Sequence, residues 1–303
     1  MRGRNRADHR MTEHRPLLAA LWMCGAIASF TLMAVAGRAV QVEMNSFELM
    51  AWRSAIGFAI ICAILWRRGF GQVRTAVPWL HVQRNLFHFA GQNLWFFGLT
   101  AIPLAQLVAL EFTNPIWVAL LAPLLLGERF TPRRALAAAL GFAGVLIVAR
   151  PGVAPIEIGH LAGLGAALGF ALNTIYTRRL MAHDSVLCVL FWMTASQAVM
   201  GAALGAPGGI PVPSPSVLPW LLVVGVTGLT AHYSLTSALS HAPATVVAPM
   251  EFLRLPVIAA VGALVYGEAL LVSVFVGAGV IIAANLVNLT GGPARRAAPK
   301  SAA

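Results

Sequence analysis

The sequence predicts an all-α membrane protein, with ten transmembrane helices forming two inverted five-helix repeats. Three observations carry this. The 303 residues are 59% hydrophobic and only 10% charged, with a mean hydropathy of +0.79. A soluble chain carries about 25% charge, so this one has too little polar surface to cover itself in water. The apolar residues also fall in runs of about a bilayer's thickness, separated by short connections rich in Gly, Pro and Arg. The third observation is that the chain resembles itself at an offset of 140 residues. Pro103 then meets Pro243, Glu111 meets Glu251, Phe112 meets Phe252, Ala119 meets Ala259, Leu124 meets Leu264, and Gly127-Glu128 meets Gly267-Glu268.

Residues 1–16 form a polar, Arg-rich tail, and the apolar run Leu17–Ala36 comes next. Its basic start and Ala34-Val35-Ala36 have the look of a signal peptide. The run is longer than such a segment needs, however, and the second repeat requires a counterpart to it. Further spans are predicted near 47–66, 77–100, 104–126, 132–150, 159–180, 186–205, 217–240, 244–266 and 270–290. Breakers lie between them: Gly69-Phe70-Gly71, Ile102-Pro103, Gly127 to Pro132, Pro151-Gly152 and Ala242-Pro243. The longest connection, Gly205 to Pro219, is rich in proline and uncharged, and is expected to be irregular. The first repeat takes residues 17–150, a linker 151–158, the second repeat 159–290 and a tail 291–303.

Charge sets the orientation. With the N-terminus inside, the cytoplasmic segments hold Arg2, Arg4, Arg6, Arg10 and Arg15, then Arg67, Arg68 and Arg74, then Arg129, Arg133 and Arg134, then Arg178 and Arg179, then Arg295, Arg296 and Lys300. Outer segments keep Arg38 and Arg150. Both termini are therefore expected in the cytoplasm. The net charge of +11 lies in these short bursts and not on one nucleic-acid-binding face. Five spans per repeat is an odd number, so the second repeat enters from the opposite side. Inverted repeats of this kind place a substrate site near the midplane and permit alternating access. Cys24, Cys62 and Cys188 stand far apart and suggest neither a disulfide framework nor a zinc site.

The candidate site residues are polar groups inside apolar helices, where they are costly and usually functional. In the third span Arg84, His88 and Gln92 step by four, with Trp95 three further on, which makes one helix face. Asn85 and Asn93 flank it. This stripe reads either as a ladder for a polar substrate or as glue between helices. The fourth span carries Glu111 and Asn114, and the ninth carries Glu251 and Arg254 at the matching positions. A spacing of three predicts an internal Glu251–Arg254 ion pair. Glu111 has no such neighbour, so any partner must come from another helix, with Arg53 and Arg84 the candidates, and it is the carboxylate free to exchange a proton. Both carboxylates are the candidates for proton coupling. Asn173 and Tyr176 in the sixth span, and His232 and Tyr233 in the eighth, join the substrate-binding set. Arg53, early in the second span beside Trp52 and near the outer interface, reads as an interfacial anchor ahead of a group that steers substrate. Gly127-Glu128 and Gly267-Glu268 read as helix stops, each with an acid near the next helix N-terminus.

Ten spans, the five-plus-five duplication, and the Gly127-Glu128-Arg129 and Gly267-Glu268 helix ends together resemble the EamA-type transporters of the drug/metabolite transporter superfamily. The resemblance covers residues 17–290. It implies a secondary transporter of the bacterial inner membrane, with a central cavity lined by the first, third, fourth, sixth, eighth and ninth spans. The implied substrate is a small polar metabolite such as an amino acid, a vitamin, a nucleobase-like compound or another zwitterion. The resemblance implies no cofactor, and no Walker loop or His/Cys cluster at ligand spacing is present in the sequence. Membrane lipid is the expected surroundings and nucleic acid is not an expected partner. The oligomeric state is open, a homodimer included. An intramembrane enzyme acting on a lipid or peptide is the alternative, although HExxH and GxSxG are missing. A non-transporting membrane sensor is the other.

Overall fold

The computed structural model describes residues 15–127, 131–153, 155–205, 210–242 and 244–289. The expected features at Glu128, Arg129 and Pro243, and the tails 1–14 and 290–303, lie outside the described residues. Among the described residues the chain forms twelve α-helices: α1 Pro16–Val40, α2 Ser46–Arg68, α3 Pro78–Ala101, α4 Leu104–Glu111, α5 Asn114–Leu126, α6 Pro132–Ala149, α7 Ile158–Leu180, α8 Val186–Gly205, α9 Leu218–His241, α10 Ala244–Glu251, α11 Arg254–Tyr266 and α12 Val272–Leu289. A single 3-10 turn, Phe70–Val73, joins α2 to α3.

Local chemistry sets the helix ends. Asn45 accepts from the amides of Phe47 and Glu48, and Glu48 accepts in return from the Asn45 amide, a reciprocal cap on α2. Thr131 caps α6 through the Arg134 amide. Proline stands in the first turn of α3, α5, α6 and α9, where its missing N–H costs nothing. Gly127 and Gly267 end α5 and α11 with φ of 65° and 66°, left-handed backbone that glycine adopts without strain.

The structure departs from the predicted elements in one instructive way. The fourth and ninth predicted spans are each two helices, α4 with α5 and α10 with α11. The breaks fall at Phe112–Thr113 and Phe252–Leu253. Pro115 lacks the N–H that would bond the Glu111 carbonyl, and Pro256 lacks the one for the Phe252 carbonyl. The carbonyls freed at the first break find other donors. Asn285 of α12, fully buried, donates to the Phe112 carbonyl at 2.8 Å. The Thr113 hydroxyl donates to the Leu110 carbonyl at 2.7 Å.

Among the described residues eight helices or helix pairs are long and apolar enough to cross a membrane: α1, α2, α4 with α5, α6, α7, α8, α9 and α12. The shorter α11 is also apolar. The 24-residue α3 falls outside this set because its buried stripe is polar. Side-chain placement is inverted relative to a water-soluble protein. Leu17, Leu124 and Leu264 are more than four-fifths exposed, while Arg53, Arg84, His88, Gln92, Gln197 and Arg254 are buried. Apolar side chains outside and polar ones inside fit a lipid solvent. This is a multi-pass membrane protein.

The two halves of the chain repeat. Helices α3, α4, α5 and α6 recur as α9, α10, α11 and α12 with the same boundaries, 140 residues on. The most extensive packing joins one repeat to the other, pairing α1 with α9, α3 with α7, α2 with α8, and α6 with α12. These partnerships are reciprocal, since α7, α8 and α9 are the second-repeat counterparts of α1, α2 and α3. At the α3–α7 crossing the backbones touch. A Cβ on Gly169 would lie 2.8 Å from the Gly91 Cα, so only glycine permits this approach. The counterpart rings of Phe112 and Phe252 meet edge to face at 5.0 Å, where the two breaks face each other.

Candidate functional site

Helix α3 is the spine of the site. Its stripe faces inward, and every predicted member is buried: Arg84 at 7%, His88 at 2%, Gln92 at 4% and Trp95 at 4% exposure. The α3–α7 contact presses this face against the second repeat, so each polar group meets a partner from elsewhere. Arg84 donates from Nε to the Thr177 hydroxyl at 3.2 Å and from Nη1 to the Asn85 side chain at 3.1 Å. Asn85 passes the chain on to the Trp192 carbonyl and the Ser196 hydroxyl. His88 Nδ1 lies 2.6 Å from Gln197 Nε2, which donates to it. The His88 ring stands 6.2 Å from those of Phe170 and His232. Gln92 Oε1 accepts from Arg53 Nη1.

The lower half of the spine reaches the breaks. Trp95 donates its indole N–H to Glu111 Oε2 at 2.8 Å, and Arg254 donates from Nη2 to Glu111 Oε1 at 2.7 Å. The Arg254 guanidinium also lies over Phe30 at 4.9 Å and Phe112 at 5.3 Å. Its Nε is buried and has no hydrogen-bond partner among the described residues. Glu111 is the last residue of α4 and Arg254 the first of α11, so this ion pair bridges the two repeats at their breaks.

That bridge corrects the expected pairing. A Glu251–Arg254 pair assumes one continuous helix, but the break at Phe252–Leu253 interrupts it and turns Arg254 toward Glu111. Glu251 is partly buried and forms no ion pair or hydrogen bond among the described residues, though Arg254 and Glu111 act on it electrostatically. Glu111 is therefore the paired carboxylate and Glu251 the unpaired one.

Arg53 is the second correction. It is 7% exposed, deep between helices and bonded to Gln92, so it is not an interfacial anchor. Of the remaining candidates, Asn114 opens α5 and is partly buried. Asn173 has a buried Oδ1 with no partner among the described residues. Tyr176 is buried and stacks on Phe87 at 5.5 Å, and His232 sets its ring edge against Phe30 at 5.7 Å. Tyr233 is the exception. It is 67% exposed and packs on Trp22, on the face turned away from His232 and outside the cluster.

Two polar clusters flank the site. At one edge Arg38 pairs with Glu268 at 2.6 Å and donates to the Leu99 and Ile102 carbonyls. Glu268 also accepts from the Leu104 amide at 2.8 Å, capping α4, and the Tyr266 ring lies under Arg38 at 4.4 Å. The acid after Gly267 thus caps a helix of the other repeat and not the next one in sequence. At another edge Asp184 Oδ2 accepts from Thr75 at 2.6 Å and from His81 Nε2 at 2.8 Å. Burial pushes the Asp184 carboxyl up, but the Thr75 and His81 bonds and the His81 and His183 charges pull it down further, leaving it below the ordinary carboxylate value. Cys188, four residues after Asp184, stands beside this pair, so His81, Asp184 and Cys188 converge within 4.8 Å. Asp184 Oδ2 already accepts two hydrogen bonds, so the cluster works as a latch between α3 and the α7–α8 connection.

The sequence reading missed Asn285, Gln197 and Arg53 as members of this network. Asn285 and Gln197 are single amides within apolar runs. No periodic stripe marks them, and only their proximity to the breaks and to α3 reveals them.

The chain matches the EamA-like transporter family twice, over residues 17–150 and 157–290. It is 30% identical over 288 residues to the riboflavin transporter of Rhizobium johnstonii, covering 94% of this chain and 95% of that one. It is 31% identical to the riboflavin transporter of Brucella anthropi, covering 87% and 94%. An S-adenosylmethionine uptake transporter of Rickettsia felis is 25% identical, with 88% and 90% covered. A crystal structure with 22% identity superposes with a TM-score of 0.59, covering 90% of this chain and 96% of the other, which supports the fold. With both halves of the chain matched and relatives of this similarity along nearly its whole length, this protein belongs to the EamA-like transporter family.

Proposed function

We propose that this chain is a secondary active transporter that moves a small polar metabolite across the bacterial inner membrane by alternating access between its two repeats. The observation that carries this is the buried polar column on α3, which ends at a Glu111–Arg254 bridge between two broken helices. A lipid-embedded bundle that gathers three buried arginines, the buried His88, and the partly buried His232, Glu111 and Glu251 has a site for polar cargo. Broken helices with carbonyls and side chains freed at mid-span are a transporter's means of binding such cargo.

The fold is read as ten spans, counting α3 and the α10–α11 pair with the eight that qualify on apolarity, with both termini cytoplasmic. Two inverted repeats are supported by the reciprocal packing and by matching indoles. Trp52 donates to the Pro211 carbonyl in the α8–α9 connection, and its counterpart Trp192 donates to the Val73 carbonyl in the α2–α3 connection. Substrate contacts are assigned to Arg84, His88, Gln92, Trp95, Asn114, Asn173, Tyr176, His232 and Arg254. Glu251, the unpaired carboxylate, takes the proton-coupling role, and Glu111 serves by holding Arg254. Riboflavin and S-adenosylmethionine, the substrates named for the relatives, are the first compounds to test. Both join a flat heterocycle to a polar tail, which suits a site that mixes arginine with Trp95, Phe30 and Phe170.

The test is uptake by proteoliposomes holding the purified full-length chain, with riboflavin, S-adenosylmethionine and a panel of amino acids, vitamins and nucleobases. Saturable flux of at least one compound is expected, dependent on the pH gradient. Folded protein that moves nothing in the panel sinks the proposal.

A further inference from the structure

We infer that Asn285 and Asn288 of α12 are positioning residues for the site. They clasp the break between α4 and α5, which holds Glu111 still, and the unclasped break between α10 and α11 is the one that bends. The clasp follows from the geometry of this chain, while bending during transport rests on the transporter reading.

A proline in a helix leaves a carbonyl of the preceding turn without its amide donor, and a buried carbonyl needs one. Pro115 stands three residues after Phe112 and has no N–H to offer the Phe112 carbonyl. Asn285 supplies Nδ2 to that carbonyl at 2.8 Å. One turn on, Asn288 donates to the Pro115 carbonyl at 3.4 Å, and the Thr113 hydroxyl donates to the Leu110 carbonyl at 2.7 Å. The second repeat solves the same problem within its own backbone. Leu255 stands where Pro115 stands, and its amide donates to the Phe252 carbonyl at 3.1 Å. There Val145 and Val148 of α6 take the positions of Asn285 and Asn288, and Leu253 takes that of Thr113. None of these three side chains can donate. The asparagines thus accompany the proline that removes the amide, and valines accompany the leucine that keeps it.

Asn285 is a costly residue for its place. It is wholly buried in an apolar helix, and its Oδ1 has no partner among the described residues. The Nδ2 bond is what offsets that burial. Packing separates the two breaks in the same sense. Helices α4 and α5 are enclosed by α6, α7, α11 and α12, whereas α10 and α11 lie chiefly against α1 and α4 and touch α12 only slightly. Thr113 is 3% exposed and its counterpart Leu253 is 59% exposed. Sparse packing and no side-chain clasp among the described residues place the second break at the low-stability end of the fold. Glu111 immediately precedes the clasped carbonyl, so the clasp aims its carboxylate at Trp95 and Arg254. Arg254 opens α11, so bending at the second break carries Arg254 toward or away from a stationary Glu111.

The test uses the full-length purified chain in detergent and reads amide hydrogen exchange by mass spectrometry, on peptides that cover each break. In the wild type the amides of the second break should exchange faster than those of the first by on the order of tenfold, about what one hydrogen bond protects. Asn285→Val should raise exchange at the first break by a similar factor and leave the second unchanged. Pro115→Leu with Asn285→Val gives the first break the pair that the second repeat uses, and should return exchange to near the wild-type rate. Flux in proteoliposomes is read in parallel with the compounds named above. Asn285→Val should lose on the order of tenfold in flux and the double variant should recover it. If Asn285→Val does not fold, the double variant carries the test, and its failure to fold overturns the clasp. Equal exchange at the two breaks in the wild type overturns the assignment of the moving half. Lowered stability in Asn285→Val with unchanged exchange at the first break reduces Asn285 to a packing residue and overturns its positioning role. A wild type that moves nothing overturns the transporter reading and the bending with it, while the clasp still stands or falls by exchange.

Discussion

At the break between α4 and α5, Glu111 accepts hydrogen bonds from Trp95 and Arg254. At the equivalent break between α10 and α11, Glu251 accepts none from the described residues. The two helix pairs share their lengths, their interruption, their left-handed glycine stop and their carboxylate. They differ in the residue that starts the second helix of each pair, Asn114 in one and Arg254 in the other. A single arginine in the second repeat thus serves the carboxylate of the first and leaves its own carboxylate unpartnered. Duplication supplies the scaffold twice, while the chemistry of the site comes from the positions where the copies have diverged.

The largest effect expected is on the bridge itself. Glu111→Gln leaves Arg254 buried without its counter-charge, which costs about 3–5 kcal/mol. Adding Arg254→Met should return much of that loss, because an apolar chain of similar length replaces the orphaned cation. Unfolding in detergent, monitored by helix signal, measures both. If Glu111→Gln and Glu251→Gln destabilise equally, the inequality between the breaks is wrong.

A second, smaller effect tests whether other contacts between the repeats obey the same logic. Glu268 joins Arg38 to the N-terminus of α4, so one carboxylate satisfies a cation and an orphan helix donor. Glu268→Gln keeps the shape but loses the charge, with an expected cost of about 1.5–3 kcal/mol. Labelling of a cysteine placed at Leu104 should rise in this variant, because the contact that closes that edge is weakened. Unchanged labelling with lowered stability means that the pair adds stability without closing that edge.

Most of the fold was legible in the sequence, since apolar length and the 140-residue echo are local properties of the chain. The observed helix boundaries fall within a few residues of the predicted spans, because Pro78, Pro132, Gly127 and Gly267 punctuate them. The two breaks were not anticipated. Pro115 and Pro256 are visible, but proline in a membrane helix is tolerated in several ways, and only packing decides which. The site was legible in part. The Arg84, His88, Gln92 and Trp95 stripe comes from the helical period, and all four are buried together. The partner of each charge was not legible, because Glu111–Arg254 spans 143 residues and Arg53–Gln92 spans 39. Sequence spacing predicts neighbours on one helix and says nothing of neighbours on two. Tyr233 illustrates the reverse case, since adjacency to His232 in sequence puts it on the other face of α9.

The Asp184 latch gives a third prediction, set outside the broken helices as a control. Its carboxyl is held below the ordinary value, so its stabilising contribution is present above the ordinary range near about pH 4 and is lost as pH falls through the lower folded value. Asp184→Asn should cost about 1 kcal/mol at neutral pH. The difference from wild type should shrink on acidification below about pH 4. A difference that persists undiminished at lower pH removes the charge from the explanation and leaves only shape.

The smallest effect on stability should come from Glu251→Gln. A partly buried carboxylate with no hydrogen-bonded partner gains little by being charged, and glutamine has nearly its shape. The change should stay within about 0.5 kcal/mol of wild type. Its effect on transport should be large by contrast. If Glu251 carries the coupled proton, flux in Glu251→Gln becomes insensitive to the pH gradient while substrate binding persists. Glu111→Gln should do the opposite, lowering stability and binding while whatever flux remains still tracks the gradient. The pair of variants separates a carboxylate that holds the site together from one that works in the cycle. A gradient response that survives in Glu251→Gln and vanishes in Glu111→Gln would exchange the two assignments and return the coupling role to the first repeat.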